Sequence, residues 1–496
     1  MADEQTNSTP AAGAAPAADG PSLIDQLLAT SNVKPGDAAY AVTKEGLQSF
    51  VASLLEPAYA TDRVTAALAD EMIADLDQKL GMQVDQILHN PEFQKLESAW
   101  RGMMFLVKNT NFRENIKIGF MNATKDDLLS DFQDSPDITK SGLYKTAYSS
   151  EYGQFGGQPW GAMISNFDFG PGQEDVALLT SVASIAAMAH APFIGSAGAS
   201  FFGLQDFAKL PDLKDLSSIF EMPQYEMWNG FRDNDDSRNV GLVMPHFLLR
   251  TPYGDNTIPS KKFVYNEDVS GGNSNFLWGN ASFAFASRLT ASFADYRWCA
   301  NIIGPQGGGE VDGLPVYTYE AMGTLQAKIP TEVLISERRE FELSEQGFIA
   351  LTMRKDTNNA SFFSANSAQK TKFYGNTPEG KIAETNYKLG TQLPYMFIVD
   401  RLAHYIKVLQ RENIGTWKEK SDIQDELNKW ISQYVADMEA PTAEVRSQRP
   451  LRQASITVED VDGDPGWYRC NMTVRPHFKY MGSYFTLSLT GKLEKK

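Results

Sequence analysis

Cysteine and histidine are scarce in this sequence of 496 residues. Its two cysteines, Cys299 and Cys470, exclude a disulfide-stapled secreted scaffold and a multi-cysteine zinc or iron–sulfur site. So little cysteine is typical of a reducing, cytoplasmic setting. The five histidines stand singly, without an HExxH pair, so the sequence signature of a zinc hydrolase is missing as well.

Positive charge is in deficit. The chain has 45 Lys and Arg against 62 Asp and Glu, a formal net charge of −17. A surface that acidic repels phosphate, which argues against nucleic-acid binding or binding to an anionic membrane as the main role. The first 21 residues are acidic and then rich in Ala and Pro, the reverse of a signal peptide.

Long apolar runs are also lacking. Residues 176–205 contain no charged residue, but His190, Pro192 and Gly195 lie within this stretch. A buried helix followed by a buried strand fits this pattern better than a membrane span. We therefore expect no insertion into a membrane.

The N-terminal third predicts helices. After a low-complexity leader, one short amphipathic segment begins near Leu23, and a second comprises Asp37–Leu55. A long helix from Thr61 is then predicted to end at Asn90-Pro91, and the same pair begins a second long helix. The first long helix has a stripe that we expect to be buried, formed by Val64, Leu68, Ile73, Leu76, Leu80, Val84, Ile87 and Leu88. The stripe of the second comprises Phe93, Leu96, Trp100, Met103, Met104 and Val107.

The middle of the chain alternates between strand and helix patterns. Gly161–Phe169 and Pro192–Ser196 read as strands around the buried helix Glu174–His190, a βαβ unit that implies a parallel pair. Ile116–Met121 and Asn239–Leu249 are predicted as further strands. The sheet should therefore be largely parallel, in an α/β protein.

The last third predicts two helices and three β segments. The first helix begins at Pro394, and the second is capped by Ser421 and Gln424 and ends near Met438. Strands are expected at 454–461, 467–474 and 483–489, with the turn 462–466 between the first two.

Two motifs of binding chemistry are incomplete. Gly375–Lys381 matches the start of a phosphate-binding loop, but Ile382 stands where a hydroxyl must hold magnesium. Asp460-x-Asp462-x-Asp464 begins like a calcium loop, but Pro465 occupies the required glycine position. We expect no cofactor and no catalytic constellation.

The two predicted long helices meet at a corner, Asn90-Pro91. The segment Asn90–Gly102, which begins at this corner, closely resembles the large subunit of the type VI secretion contractile sheath, the TssC/VipB family; its sequence is NPEFQKLESAWRG. Arg401–Lys407 resembles the late helix of that family, and Asp460–Arg475 with Tyr484–Leu487 resembles its C-terminal end. The resemblance spans nearly the whole chain from about Leu23.

This resemblance implies a structural and mechanical role and no enzymatic activity. In the family, the large subunit pairs with a small sheath subunit, and the heterodimers stack as hexameric rings into a cytoplasmic tube. The tube surrounds an inner tube of secreted hexameric rings, contracts to expel it, and is taken apart by an AAA+ ATPase. Expected partners are therefore the small subunit, further copies of this chain, the inner-tube protein, baseplate components and that ATPase.

The resemblance also suggests sites. We expect the small subunit to contact the N-terminal segments through Leu23, Ile24, Leu27, Leu28, Phe50 and Leu54. Family members link neighbouring subunits by strand exchange, a role that falls to Tyr484, Phe485, Thr486, Leu487, Ser488 and Leu489, unless this strand pairs within its own domain. The helix Ser421–Met438 is the candidate inner-tube surface through Asp425, Glu426 and Lys429, unless this is an ordinary solvated face.

The expected fold is a multi-domain α/β, phage tail sheath-like fold. It comprises a leader (1–20), an N-terminal helical arm (21–60), an inner domain (61–122 with 380–496) and an outer α/β domain (123–379). The alternative from another class is a soluble α/β enzyme with its site at the carboxyl ends of the parallel strands, near Phe169–Gln173 or Ser196–Ser200. A phage-tail or related injection sheath would share the same mechanics.

Overall fold

A computed structural model describes residues 39–54, 66–321, 323–355, 357–375, 377–438, 441–461 and 467–477. Several predicted features lie outside the described residues: the leader, the segment with Leu23, Ile24, Leu27 and Leu28, and the strand with Tyr484, Phe485, Thr486, Leu487, Ser488 and Leu489. The side chains of Phe50 and Leu54 lie outside them as well. The chain divides into two compact units, 1–78 and 79–496.

The α-helices of five or more residues in the described part are α1 (Ala39–Leu54), α2 (Ala66–Leu88), α3 (Pro91–Lys108), α4 (Lys125–Asp134), α5 (Gln173–Ala189), α6 (Leu216–Phe220), α7 (Glu226–Asp233), α8 (Ala281–Tyr296), α9 (Glu337–Glu345), α10 (Pro378–Gly390), α11 (Leu393–Glu412), α12 (Lys420–Ile431) and α13 (Ala443–Gln448). The described strands are β1 (Met163–Phe169), β2 (Phe193–Ala197), β3 (Val240–Met244), β4 (Phe247–Leu248), β5 (Trp278–Gly279), β6 (Glu310–Val311), β7 (Tyr317–Ala321), β8 (Thr324–Lys328), β9 (Phe348–Met353), β10 (Ala360–Phe362), β11 (Leu451–Asp460) and β12 (Tyr468–Pro476).

The second unit is built on a six-stranded mixed sheet in the order β1-β2-β3-β9-β10-β6. The first four strands are parallel, and β10 is antiparallel to both β9 and β6. Helix α5 connects β1 to β2, which confirms the predicted βαβ unit. The expected α/β class is therefore confirmed.

Both faces of this sheet are covered, because every position of the central strands β2 and β3 is buried. Phe348 and Ala350 face a hydrophobic core shared with α5, whereas Ile349 and Leu351 face a second core shared with α8. Alternate residues of one strand thus enter opposite cores. Leu393 and Phe397 of α11 reach the second core and join the C-terminal region to the sheet.

Several predicted elements were wrong in detail. Ile116–Met121 is not a strand; this segment passes the Trp160 ring, which lies 2.8 Å from where a β-carbon on Gly119 would stand. The strand predicted at Asn239–Leu249 is divided into β3 and β4 at Pro245, which has no N–H for a ladder. Helix α9 was not predicted, since its sequence ERREFELSE is mostly charged.

A third core organises the C-terminal region. It contains Leu402 of α11, Leu427 of α12 and Ile456 of the β11–β12 hairpin. The two strands pair antiparallel over nearly their full length, which confirms the first two of the three predicted β segments. None of the helices in the described ranges is long and apolar enough to span a membrane.

Candidate assembly surfaces

Helix α3 begins at the predicted corner. The side-chain oxygen of Asn90 accepts hydrogen bonds from the backbone N–H groups of Glu92 (3.0 Å) and Phe93 (3.4 Å). Pro91 occupies the first helical position, where no N–H is required. Glu92 near the start and Lys108 near the end both complement the helix dipole. Local sequence alone therefore fixes where this helix begins.

The inner face of α3 includes small and polar residues. A β-carbon at Gly102 would lie only 2.5 Å from the Phe283 ring, so glycine permits the close approach of α8. The Ser98 hydroxyl donates to the carbonyl of Trp278 at 2.7 Å. Leu106 is buried on the same side. This helix is therefore held by close backbone approach, by polar contacts and by the apolar side chains of Leu106 and Phe105.

A buried ion network fixes the same face. Glu97 accepts from Arg101 Nε (2.6 Å) and from Arg250 Nε (3.0 Å). Arg250 also forms a two-pronged pair with Glu267, at 2.6 and 3.1 Å, and their side chains are only 4% and 1% exposed. Burial by itself lowers the pKa of Arg250, but the hydrogen bonds and charges of the two glutamates outweigh it and raise that pKa.

The network ties the corner to the loop 250–268. Glu267 accepts from the backbone N–H of Tyr253 (2.9 Å) and lies 3.3 Å from His89 Nε2. The Tyr265 hydroxyl donates to Asp85 at 2.6 Å. The sequence analysis missed both Arg250 and Glu267, since no motif connects residues so far from the start of α3.

The outer face of α3 is apolar and exposed. The residues at i, i+3, i+7, i+11 and i+14 have between 37% and 58% of their surface exposed: Phe93, Leu96, Trp100, Met104 and Val107. We call these five residues the α3 stripe. Helix α3 therefore has apolar side chains on both sides, since Leu106 and Phe105 contact the rest of the chain while the α3 stripe faces outward.

The stripe of α2 was predicted to be buried, and this was wrong for several members. The residues at i, i+3, i+7 and i+14 are 41–57% exposed: Ile73, Leu76, Leu80 and Ile87. Helical periodicity identifies an apolar stripe but not what covers it. Exposed apolar stripes of this kind mark protein–protein interaction sites.

The C-terminal hairpin is bound to α12 by side-chain amides. Asn428 accepts from the N–H of Ile456 (2.9 Å) and donates to its carbonyl (2.7 Å), and Gln424 accepts from the N–H of Val458 (3.1 Å). The capping box predicted at Ser421 and Gln424 was therefore wrong. Glu419 and Asp422 form the box instead. The helix also ends at Ile431 and not near Met438.

The three candidate inner-tube residues on α12 differ in their surroundings. Asp425 and Lys429 are exposed. Glu426 pairs with Lys418 Nζ at 2.6 Å and accepts from Asn413 at 3.1 Å. The hydrogen bond from Lys418 is the largest cause of the lowered pKa of Glu426. Glu426 therefore holds the turn between α11 and α12, while the other two side chains face solvent.

The late helix α11 is anchored to residues near the end of α5. His404 Nε2 lies 2.9 Å from the Ala189 carbonyl, and burial lowers the pKa of His404 to about 4. Asp400 lies 3.2 Å from His190 Nδ1. Lys407 donates to the Tyr148 hydroxyl at 2.9 Å. The resemblance motif Arg401–Lys407 therefore forms an internal interface between α11 and the residues at the end of α5 and around Tyr148.

The carboxyl ends of the parallel strands hold a polar cluster at the position of the alternative enzyme site. His246 lies between Asp168 (3.0 Å) and Glu332 (2.8 Å), and its side chain is 21% exposed. Asp175 accepts from the N–H of Gly170 at 2.6 Å. The Ser196 hydroxyl donates to a β3 carbonyl. These groups bind one another or the backbone and thereby join three segments of chain.

The His246 cluster predicts a pH-dependent stability. Burial alone lowers the pKa of His246, but Asp168 and Glu332 outweigh it and raise this pKa from 6.5 to about 10. The cation's contribution to the free energy of unfolding is therefore complete below pH 6.5 and lost as pH rises through 10. His246→Gln should cost about 2–3 kcal/mol at pH 6 and distinctly less at pH 10. Urea unfolding at both pH values measures this difference; an equal cost at both would contradict it.

The segment resembling a phosphate-binding loop has a structural role. The Thr377 hydroxyl accepts from the N–H of Gly380 at 3.0 Å and caps α10, and Pro378 begins this helix. Ile382 is 62% exposed. Within the described ranges, no group of three or more His, Cys, Asp or Glu side chains is placed to hold a metal ion.

Comparison with protein-family models places the chain among proteins that form tail sheaths. Residues 70–369 match a model described as a tail sheath N-terminal domain, and residues 382–493 match a tail sheath gpW/gp25-like domain. The chain is therefore a tail sheath protein. More narrowly, it belongs to the VipB family, EvpB/VC_A0108, which confirms the resemblance seen in the sequence.

A curated relative from Pseudomonas aeruginosa, the type VI secretion system sheath protein TssC1, is 41% identical over 429 residues, covering 86% of this chain and 85% of the relative. The solved contracted helical sheath of the anti-feeding prophage aligns with a TM-score of 0.30 and 12% identity, over 63% of this chain and 66% of that chain.

Proposed function

We propose that this protein is the structural large subunit of a type VI secretion contractile sheath. It pairs with the small sheath subunit, polymerises into a helical tube around the inner tube, and contracts to expel that tube. The observation that carries this proposal is the α3 stripe, an apolar surface fixed in place by a buried ion network on the opposite face of the same helix.

The small subunit is the proposed occupant of the α3 stripe. A stripe of this period fits an amphipathic helix laid along it, with apolar anchors at i, i+3 and i+7. Trp100 and Phe93 are aromatic, and tryptophan is enriched at the positions that dominate binding energy. The N-terminal residues Leu23, Ile24, Leu27, Leu28, Phe50 and Leu54 are proposed to contact the small subunit as well.

The other expected roles remain part of this proposal. We place the protein in the cytoplasm, as a subunit without enzymatic activity, in contact with the inner-tube protein, baseplate components and a disassembly ATPase. The inner-tube contact is assigned to Asp425 and Lys429, with Glu426 supporting the turn beside them. The inner domain is 61–122 with 380–496, and the outer domain is 123–379. The polar groups at the carboxyl ends of the strands bind one another, which supports a structural role for that edge.

Electron microscopy of the chain co-expressed with its small subunit tests the function. We expect long hollow tubes with a helical, cogwheel-like cross-section. Closed soluble particles would overturn the proposal and favour the enzyme alternative.

A chain that ends before Tyr484 should give no long tubes, since the terminal strand Tyr484–Leu489 is proposed to link neighbours through backbone hydrogen bonds. Tubes of normal length from this truncation would overturn the strand-exchange role alone.

A further inference from the structure

The two outer edges of the β11–β12 hairpin differ in their hydrogen bonding. On β11, the side-chain amide of Asn428 binds both the N–H (2.9 Å) and the carbonyl (2.7 Å) of Ile456. The side-chain oxygen of Gln424 accepts from the N–H of Val458 at 3.1 Å. Helix α12 therefore supplies, through two amides, the hydrogen bonds that a neighbouring strand would otherwise supply.

The start of β11 is closed as well, by backbone groups. The carbonyl of Leu451 accepts from the N–H of Ala436 at 2.9 Å, beside the parallel bridge between Val435 and Leu451. The amide of Asn428 is itself held in place, since its Nδ2 also donates to the carbonyl of Gln424 at 2.8 Å. No strand can therefore add to β11 unless α12 and residues 435–436 move away.

The outer edge of β12 is open. Ile456 pairs with Met472 across the hairpin, and because the backbone groups of Ile456 point towards α12, those of Met472 point away from the hairpin. Cys470 and Val474, two positions to either side, share this orientation. Within the described ranges, no hydrogen bond reaches the outward groups of these three residues. Such a row of unpaired groups is a template for a further strand.

The two faces of β12 indicate what kind of strand fits beside it. Cys470, Met472 and Val474 pack against the third core, whereas Asn471 and Thr473 are exposed. The predicted terminal strand has the same alternation, with the apolar Phe485, Leu487 and Leu489 on one face and the hydroxyl-bearing Tyr484, Thr486 and Ser488 on the other. Added to β12, this strand would continue the core with one face and meet solvent with the other.

We propose that Gln424 and Asn428 select the edge at which subunits are linked: they close β11, so that the terminal strand Tyr484–Leu489 of a neighbouring copy adds to β12. Closing one edge removes a competing site of strand addition, and an unprotected edge is a site of aggregation. The inference rests on the proposed function and its strand-exchange role. It adds the receiving edge and the two residues that specify it.

Disulfide trapping in assembled tubes tests the receiving edge. Asn471→Cys, on the exposed face of β12, is combined in turn with Tyr484→Cys, Thr486→Cys or Ser488→Cys and co-expressed with the small subunit. Residues directly opposite on neighbouring strands have their β-carbons about 4.5–5.5 Å apart, so one of the three registers should give a ladder of covalent oligomers on mild oxidation. Thr457→Cys with the same three partners is the matched control, because Thr457 pairs with Asn471 but lies on the closed side of the hairpin. Neither this control nor any single variant should give a ladder.

The outcomes of this trapping separate the edge, the occupant and the function. A ladder from the Thr457 pairs would place the added strand at β11 and overturn the proposal. A disulfide within one chain, or none from the three β12 pairs, would overturn exchange at this edge but leave the sheath function intact. A wild-type chain that forms no tubes with the small subunit would contradict the function itself.

Proline at one residue of each edge gives a second readout. Ala454 and Val474 pair across the hairpin, and their N–H groups point outward from β11 and β12 respectively. Proline is tolerated in a strand where the N–H faces outward, so Ala454→Pro and Val474→Pro should have similar costs in urea unfolding. Only Val474→Pro should lower the yield of sedimenting tubes, at least about tenfold, because it removes a donor that the added strand requires. Equal tube yields from the two variants would overturn the choice of edge.

Opening the β11 edge tests the two amides directly. Gln424→Met with Asn428→Leu retains the apolar face of α12 but frees the outward backbone groups of β11, so the chain should form irregular aggregates in place of tubes. Adding Ala454→Pro should restore tubes in part, since the proline blocks the reopened edge. If the amides only stabilised the hairpin, the added proline would lower the tube yield further. Absence of rescue would therefore overturn their selective role.

Discussion

Leu96→Ser combined with Trp100→Ser is expected to raise the Kd for the small sheath subunit at least about a hundredfold. The two side chains are 56% and 58% exposed in the free chain, so their apolar surface becomes available to a partner without any rearrangement. The inward contacts of α3 through Gly102, Ser98 and Glu97 are untouched. Unfolding stability should therefore change by no more than about 0.5 kcal/mol for each exposed site. Co-purification followed by calorimetric titration measures the loss.

The matched control for this double variant lies away from the α3 stripe. Val264→Ser with Phe373→Ser also removes two exposed apolar side chains, 62% and 72% exposed, and should bind the small subunit as wild type does. Wild-type affinity of the α3 double variant would overturn the assignment of the stripe to this partner. Equal weakening in both double variants would point to a general loss of apolar surface instead of a defined site.

The two long helices α2 and α3 show which structural features apolar periodicity predicts and which it does not. The corner at Asn90-Pro91 was predictable, because a cap and a proline at the first helical position are local signals. Whether each apolar stripe faces the core or solvent was not predictable, since such a stripe has the same sequence pattern whether it contacts a core or a partner.

Long-range polar contacts were beyond prediction for another reason. Gln424 fits a capping box by spacing, yet in the fold its amide binds Val458 on β11, 34 residues away. Asp168 and His246 are distant in the chain and meet because the parallel strands β1 and β3 end at one edge of the sheet, while Glu332 is brought to them by its backbone hydrogen bond to the His246 carbonyl. Apolar strands such as β2, β3 and β9 were easier, since runs buried on both faces are visible in the sequence itself.

Arg250→Met is expected to lower the free energy of unfolding by about 3–5 kcal/mol. The substitution removes the cation that Glu97 and Glu267 share, and Glu267, whose side chain is 1% exposed, is left as a buried charge without that partner. Methionine retains much of the packing volume, so the cost reflects the lost charge and hydrogen bonds more than a cavity. Urea unfolding of the purified chain measures the change.

Two further variants separate the buried network from a general effect of removing an arginine. Arg238→Met breaks a surface pair with Asp235, whose side chain is 66% exposed, and should cost no more than about 1 kcal/mol. Glu267→Gln added to Arg250→Met removes the stranded charge and should recover part of the loss, which a double-mutant cycle detects. A cost below about 1 kcal/mol for Arg250→Met would contradict the network. Because the same arginine holds the inner face of α3, its loss should also weaken binding at the α3 stripe, although Arg250 lies on the opposite side of that helix from the partner.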